Sequence, residues 1–134
     1  MSTLKVFASR MIPDIGFDLL RKAGFELTIW PEPYPMAQED LIKASQQADI
    51  LLSLGENKID PYFLHACKHL KMISQFAVGY DNINIPEATK LRIPVGNTPD
   101  VLSAATADIA FGLMIAASRK FFFNSCFHID LCNK

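Results

Sequence analysis

Short runs of β-branched and aromatic residues alternate along the chain with stretches in which apolar side chains recur every three or four positions, the pattern of βα units laid on a parallel sheet. Leu4–Ala8, Glu26–Trp30, Asp49–Leu54, Met72–Ala77 and the neighbourhood of Pro94–Val95 predict five strands. Asp49–Leu54 is almost continuously apolar, as a central strand covered on both faces must be. Between the strands, Pro13 opens a helix whose positions Ile15, Leu19, Leu20 and Ala23 share one face, with Gly24 as its stop. A second helix is expected over about Ala37–Gln47. A third begins with Asp60 as N-cap and Pro61 in its first turn and runs to about His69, and a short fourth lies around Pro86–Leu91. Pro31, Pro33 and Pro35 remove three donors and confine that segment to a surface connection.

The expected fold is α/β, a flavodoxin-like parallel sheet of about five strands with helices on both faces and a long apolar C-terminal helix. That last helix is a break in the pattern. Val101–Arg119 carries only Asp108 as a charge before its final arginine and is apolar around most of its circumference, so it asks for partners on several sides. Residues 1–99 therefore read as one domain, residues 100–119 as a linking helix that would begin another, and residues 120–134 as an atypical tail. The tail holds four of the ten Phe and two of the three Cys with neither helical nor strand period, and it reads as foreign to the fold.

Composition narrows the function. With 134 residues there is room for one core, and 13 Lys+Arg against 14 Asp+Glu, dispersed along the chain, give no electrostatic footprint for nucleic acid or an anionic membrane. Cys67, Cys126 and Cys132 are too few for a disulfide framework or a closed zinc site. His65 and His69, four apart on the expected helix, lack a third ligand in register, so no metal is expected. The longest uncharged apolar run, Ile109–Ser118, stops short of the ~20 residues a bilayer requires, and residues 1–12 lack a signal-peptide core. A cytoplasmic protein with a small-molecule partner, or another protein as partner, is the expectation.

The densest chemical signal is Phe76-Ala-Val-Gly-Tyr-Asp-Asn-Ile83, directly after the fourth strand. Gly79 at a strand's carboxyl end lets the backbone turn so that consecutive N–H groups face an anion, and ligands of open parallel sheets bind at this end. The plainer alternative is that Gly79 only makes a turn while Asp81 and Asn82 cap the next helix.

The run AVGYDNINIPEATKLRIPVGNTPDVLSAATADIAFGLMIAASR resembles the D-isomer-specific 2-hydroxyacid dehydrogenases, and in particular their glyoxylate/hydroxypyruvate reductase branch. KVFASRMIP, AGFELTIWPE, LLSLGENKID and LKMISQFAVGYDNI occur in the order that family uses, so the resemblance spans about residues 4–119. It implies that the amides of Val78 and Gly79 hold a substrate carboxylate and that Leu54 and Gly55 border the substrate. It places Thr106 beside the cofactor, the alternative being a hydroxyl bonded back within its own helix. The family's arginine, glutamate and histidine, and its glycine-rich dinucleotide turn, have no counterpart here. No GxGxxG occurs, and Arg92, Arg119 and His128 belong to other segments. No catalytic residue is therefore assigned.

The resemblance thus implies a truncated NAD(P)H-dependent oxidoreductase. Its parent reaction is hydride transfer between a nicotinamide and a small 2-oxo or 2-hydroxy acid, while this chain alone is expected to be inactive and not to bind NAD(P)H. Association as a homodimer through residues 101–119 is expected. The alternative is a non-catalytic binding or regulatory module that pairs with a full-length paralogue. A receiver-like or flavin-binding module is disfavoured, because the first strand ends in Ala8-Ser9-Arg10, with neither an acidic cluster nor a phosphate loop.

Overall fold

A computed structural model describes residues 3–121; Cys126, His128, Cys132 and the rest of the tail from residue 122 lie outside the described residues. The elements are β1 (Lys5–Ala8), α1 (Asp14–Lys22), β2 (Glu26–Ile29), α2 (Gln38–Ser45), β3 (Ile50–Ser53), α3 (Pro61–Ala66), β4 (Met72–Gln75), α4 (Ile85–Lys90), β5 (Val95–Gly96) and α5 (Ser103–Ser118). All strand pairs are parallel and the order is β2-β1-β3-β4-β5. The chain divides between Pro99 and Asp100 into two compact units. The first carries the sheet and α1–α4.

Strand alternation sorts the core of this unit onto the two faces of the sheet. Phe7, Leu51 and Ile73 meet Leu41 and Ile42 of α2, Phe63 and Leu64 of α3, and Ala88 of α4. Val6, Ala8 and Leu52 project to the opposite face, against Phe17 of α1. The face expected for α1 needs correcting. Ile15 and Leu19 are 72% and 63% exposed, whereas Phe17 is buried and Leu20 packs partly against the same cluster. Phe17 and Leu20 lie three apart and present the largest apolar surface of this helix, so they set its rotation, and the Ile15–Leu19 stripe is turned outward. Gly24 ends the helix at φ 85°, and its N–H donates to Arg21 O at 3.0 Å.

Helix α3 starts as expected, with the Asp60 carboxylate accepting from the Phe63 N–H at 3.0 Å and Pro61 in the first turn. It stops at Ala66, earlier than its periodicity suggested. His65 and His69 therefore do not share a helical face. His65 Nε2 lies 3.1 Å from Glu87 Oε1, while His69 Nε2 is within 3.2 Å of Ser45 O and 3.1 Å of Ala48 O at the end of α2. For α4 the N-cap is Asn84, whose Oδ1 accepts from the Glu87 N–H at 2.9 Å, and not Asp81 or Asn82.

The second unit's helix, α5, has no buried residue. Ile109, Phe111, Leu113 and Met114 are each more than half exposed. No helix among the described residues is long and apolar enough to cross a membrane.

Acid should weaken the first unit in a traceable way. Burial raises the Asp60 carboxyl, but the Phe63 N–H, the Lys58 ammonium and the Gln38 amide outweigh it and hold the group below its ordinary 3.8. A carboxyl depressed in the folded state contributes stability above its unfolded value, and that stability is lost as pH falls through the folded one. The backbone N–H of Lys5, with Lys71, lowers Asp49 in the same direction, and Lys90 does so for Glu87. Urea unfolding across pH should show a plateau above about pH 5 and a decline below about pH 4. Asp60→Asn, which keeps an N-cap, should shrink that decline, and Asp60→Ala should cost about 1 kcal/mol at neutral pH.

Candidate functional site

At the carboxyl ends of β1, β3 and β4 the apolar alternation gives way to buried polar side chains: Ser9, Ser53, Asn57 and Gln75 are all at most 3% exposed. Polar groups this deep are costly unless they find hydrogen-bond partners. The Ser53 hydroxyl donates to Gln75 Oε1 at 2.6 Å. Gln75 Nε2 donates to Asn82 Oδ1 at 2.9 Å and to Gly79 O at 3.4 Å. Asn82 Nδ2 donates to Asn57 O at 2.7 Å and Leu54 O at 3.4 Å, and Asn57 Oδ1 accepts from the Leu54 N–H at 3.0 Å and the Ser9 hydroxyl at 2.5 Å. Both polar atoms of the Gln75 and Asn82 amides are used. The network ties two loops, residues 54–57 and 76–82, to the ends of three strands.

Its effect on the 76–82 loop is to fix which way each peptide faces. Ala77 O accepts from the Thr98 N–H at 3.1 Å and Tyr80 O from the Ile83 N–H at 2.9 Å. Val78 O accepts from Asn97 Nδ2 at 2.8 Å, and Gly79 O accepts from Gln75. Four consecutive carbonyls are thus held by the protein. The described peptides are all trans, so each following N–H points the opposite way, and among the described residues no acceptor takes the N–H of Val78 or Gly79. Val78 is half-buried and Gly79 exposed. The result is a pair of fixed, unspent donors at the edge of the fold, suited to an anionic oxygen.

Gly79 itself departs from expectation. Its φ is not in the left-handed region, and a Cβ built on it would meet Asp81 Oδ2 at 3.6 Å, an ordinary contact. Neither a sharp turn nor packing demands glycine there. What the missing side chain leaves open is the approach to the amides. A cavity of about 210 Å³ lined by Tyr80, Ile85, Val95 and Asn97 adjoins this loop, small beside the ~300–1,000 Å³ of drug-sized sites.

Leu54 and Gly55 sit at the end of β3. Leu54 has both its backbone N–H and its carbonyl engaged by the network, while the Gly55 N–H has no acceptor among the described residues. A Cβ on Gly55 would lie 4.0 Å from Gln75 Nε2, the atom that also reaches Gly79 O, so the 54–57 and 76–82 loops converge on one amide. Thr106 belongs to the second unit. Its N–H donates to Leu102 O at 2.9 Å, and its hydroxyl, in contrast to the intrahelical alternative, makes no bond back to its own helix among the described residues. Asn82 serves the network rather than a cap. Cys67 is buried and its thiol is pushed up to about 11 by that burial, so it is no nucleophile. No three His, Cys, Asp or Glu side chains gather at metal-binding distance among the described residues.

Residues 6–125 match the model of the D-isomer specific 2-hydroxyacid dehydrogenase catalytic domain. The chain is 42% identical over 116 residues to a glyoxylate reductase of Thermococcus kodakarensis, covering 87% of this chain and 34% of that protein. Among solved structures it is similar to NAD+-bound 3-phosphoglycerate dehydrogenase of Entamoeba histolytica, with a TM-score of 0.74 and 29% identity over 90% of this chain and 41% of that one. A glyoxylate reductase from Paecilomyes thermophila gives a TM-score of 0.72 at 25% identity, with 87% and 38% covered. The chain spans about a third of the length of the curated relatives it matches.

Two substitutions separate the scaffold from the donors it holds. Asn82→Ala takes one of the two acceptors from Gln75 Nε2 and removes the side-chain donor to Asn57 O, and should lower the unfolding free energy by about 1–3 kcal/mol. Gly79→Ala should stay within about 0.5 kcal/mol of the parent chain. Chemical denaturation monitored by Trp30 fluorescence measures both.

Proposed function

The chain belongs to the D-isomer specific 2-hydroxyacid dehydrogenase family, and we propose that its part in that chemistry is to bind and orient the carboxylate of a small 2-oxo or 2-hydroxy acid on the amides of Val78 and Gly79. The observation that carries this is the run of four engaged carbonyls, Ala77 to Tyr80, which leaves the intervening N–H groups directed away from the protein and unspent. Backbone donors suit the task, since they need no change of protonation and no reorganisation when the anion arrives. Leu54 and Gly55 form the neighbouring wall. The small cavity beside the loop and the glyoxylate reductase names of the relatives favour glyoxylate over bulkier acids.

In the parent reaction NAD(P)H would supply the hydride to the 2-oxo acid, or NAD(P)+ would receive it from the 2-hydroxy acid. The described residues do not fit that cofactor: Gly55, Gly79 and Gly96 stand singly rather than in a glycine-rich turn leading into a helix, and Thr106 offers one hydroxyl. This chain's residues therefore bind the acid and hold its carboxylate in place, and the chain by itself is expected to be inactive.

A second reading concerns association. The large apolar side chains of α5 are exposed along its whole length, which favours pairing with a second copy or with a longer relative.

In a ¹⁵N-labelled sample, glyoxylate should shift the Val78 and Gly79 amide signals, NADH and NADPH should shift none, and no glyoxylate reduction should occur; turnover by this chain alone would contradict the proposal. Light scattering after size exclusion should give a dimer or larger species, and Leu113→Asp should shift it toward monomer. A parent chain that stays monomeric at every concentration would rule out the association.

A further inference from the structure

Arg10, immediately after β1, joins the loops that follow three different strands. One guanidinium nitrogen pairs with the Glu56 carboxylate, and the other donates to Pro33 O at 2.5 Å. The two charged side chains are only 28% and 31% exposed, so the pair is shielded from water more than a surface ion pair is. Pro33 lies in the segment whose three prolines leave few donors of its own. Glu56 lies in the 54–57 loop, next to Asn57, which holds that loop from the buried side through the Leu54 N–H.

Gly55 is thereby clamped on both sides. Asn57 fixes Leu54 from within, Arg10 fixes Glu56 from without, and the Gly55 N–H between them is spent on nothing among the described residues. A Cβ built on Gly55 would lie 4.0 Å from the same Gln75 Nε2 that holds Gly79 O, so the two loops approach one another at this side chain. A donor fixed through both neighbours and left unspent is pre-organised in the manner of the Val78 and Gly79 amides.

We propose that Arg10 is a positioning residue that holds the Gly55 amide as a third donor to the substrate anion, acting through Glu56. This rests on the carboxylate-binding reading of Val78 and Gly79. The planar fork of arginine serves two acceptors in fixed directions, which a lysine ammonium on a flexible stem does not reproduce. The carboxylate oxygen facing the 54–57 loop would be met by Gly55, and the other by Val78 and Gly79.

The test is a ¹⁵N titration of the full 134-residue chain with glyoxylate, against sodium chloride at matched ionic strength. In the parent chain Gly55, Val78 and Gly79 should shift together with glyoxylate and not with chloride. In Arg10→Met the affinity should fall about tenfold and the Gly55 shift should collapse, while core amides such as Leu51 and Ile73 keep their free-state positions. Arg10→Lys should fall between the two. If Arg10→Met does not fold, Glu56→Gln, which leaves both the arginine and the backbone in place, should still weaken binding and shrink the Gly55 shift. A variant that binds with parental affinity and an unchanged Gly55 shift overturns the role of Arg10 and leaves the carboxylate site standing. A parent chain in which no loop amide responds overturns the site and this inference together.

Discussion

The structure of this site depends on a hydrogen-bonded run of buried side chains, Ser53, Gln75, Asn82, Asn57 and Ser9, laid across the carboxyl ends of β3, β4 and β1. In a parallel sheet those ends are where the chain leaves the ladder and where its loops would otherwise be free to choose their own conformations. A polar network in this position is tolerated only when its members are satisfied, because a half-paired amide in the interior is costlier than an apolar side chain. Here the two central carboxamides use both ends of their side chains. The loops they hold are consequently tied to the strand ends.

From that constraint the chemistry follows through peptide geometry. When the protein takes the carbonyls of residues 77 to 80 inward, the trans peptide unit turns the N–H groups outward, and the chain presents donors where it presents no side chain. Charge is not involved in holding them. Both the scaffold and the donors are therefore indifferent to pH over the range in which the carboxylates stay ionised, whereas Asp60, Asp49 and Glu87 make the fold around them sensitive to acid.

Much of the fold was legible in the residue pattern, since strand runs, the Asp60-Pro61 helix start and the Gly24 stop are local signals. The rotation of α1 was not, because Ile15, Leu19 and Leu20 make as regular a stripe as Phe17 and Leu20 do, and only the sheet decides which is covered. The early end of α3 was hidden for a similar reason: His69, beyond that end, bonds to the carbonyls of Ser45 and Ala48, more than twenty residues earlier. For the site, the loop at 76–83 stood out, but its supports did not. Ser9 and Asn57 are 48 apart in sequence and Ser53 and Gln75 are 22 apart, so each reads alone as an ordinary strand-end polar residue. A retrospective signal exists in Ser53 and Gln75, which break the apolar runs of β3 and β4 at matching register. Gly79 reads in the sequence as a turn glycine, while its φ is outside the left-handed region and only the open approach to the amides distinguishes it.

The most direct measurement is a crystal structure of this chain with oxalate, a two-carbon stand-in for glyoxylate. The predicted result is a carboxylate with oxygens about 3 Å from the Val78 and Gly79 nitrogens, with the carbonyls of residues 77–80 still held by Thr98, Asn97, Gln75 and Ile83. Oxalate bound elsewhere, or a 76–82 loop whose carbonyls face solvent, would contradict it.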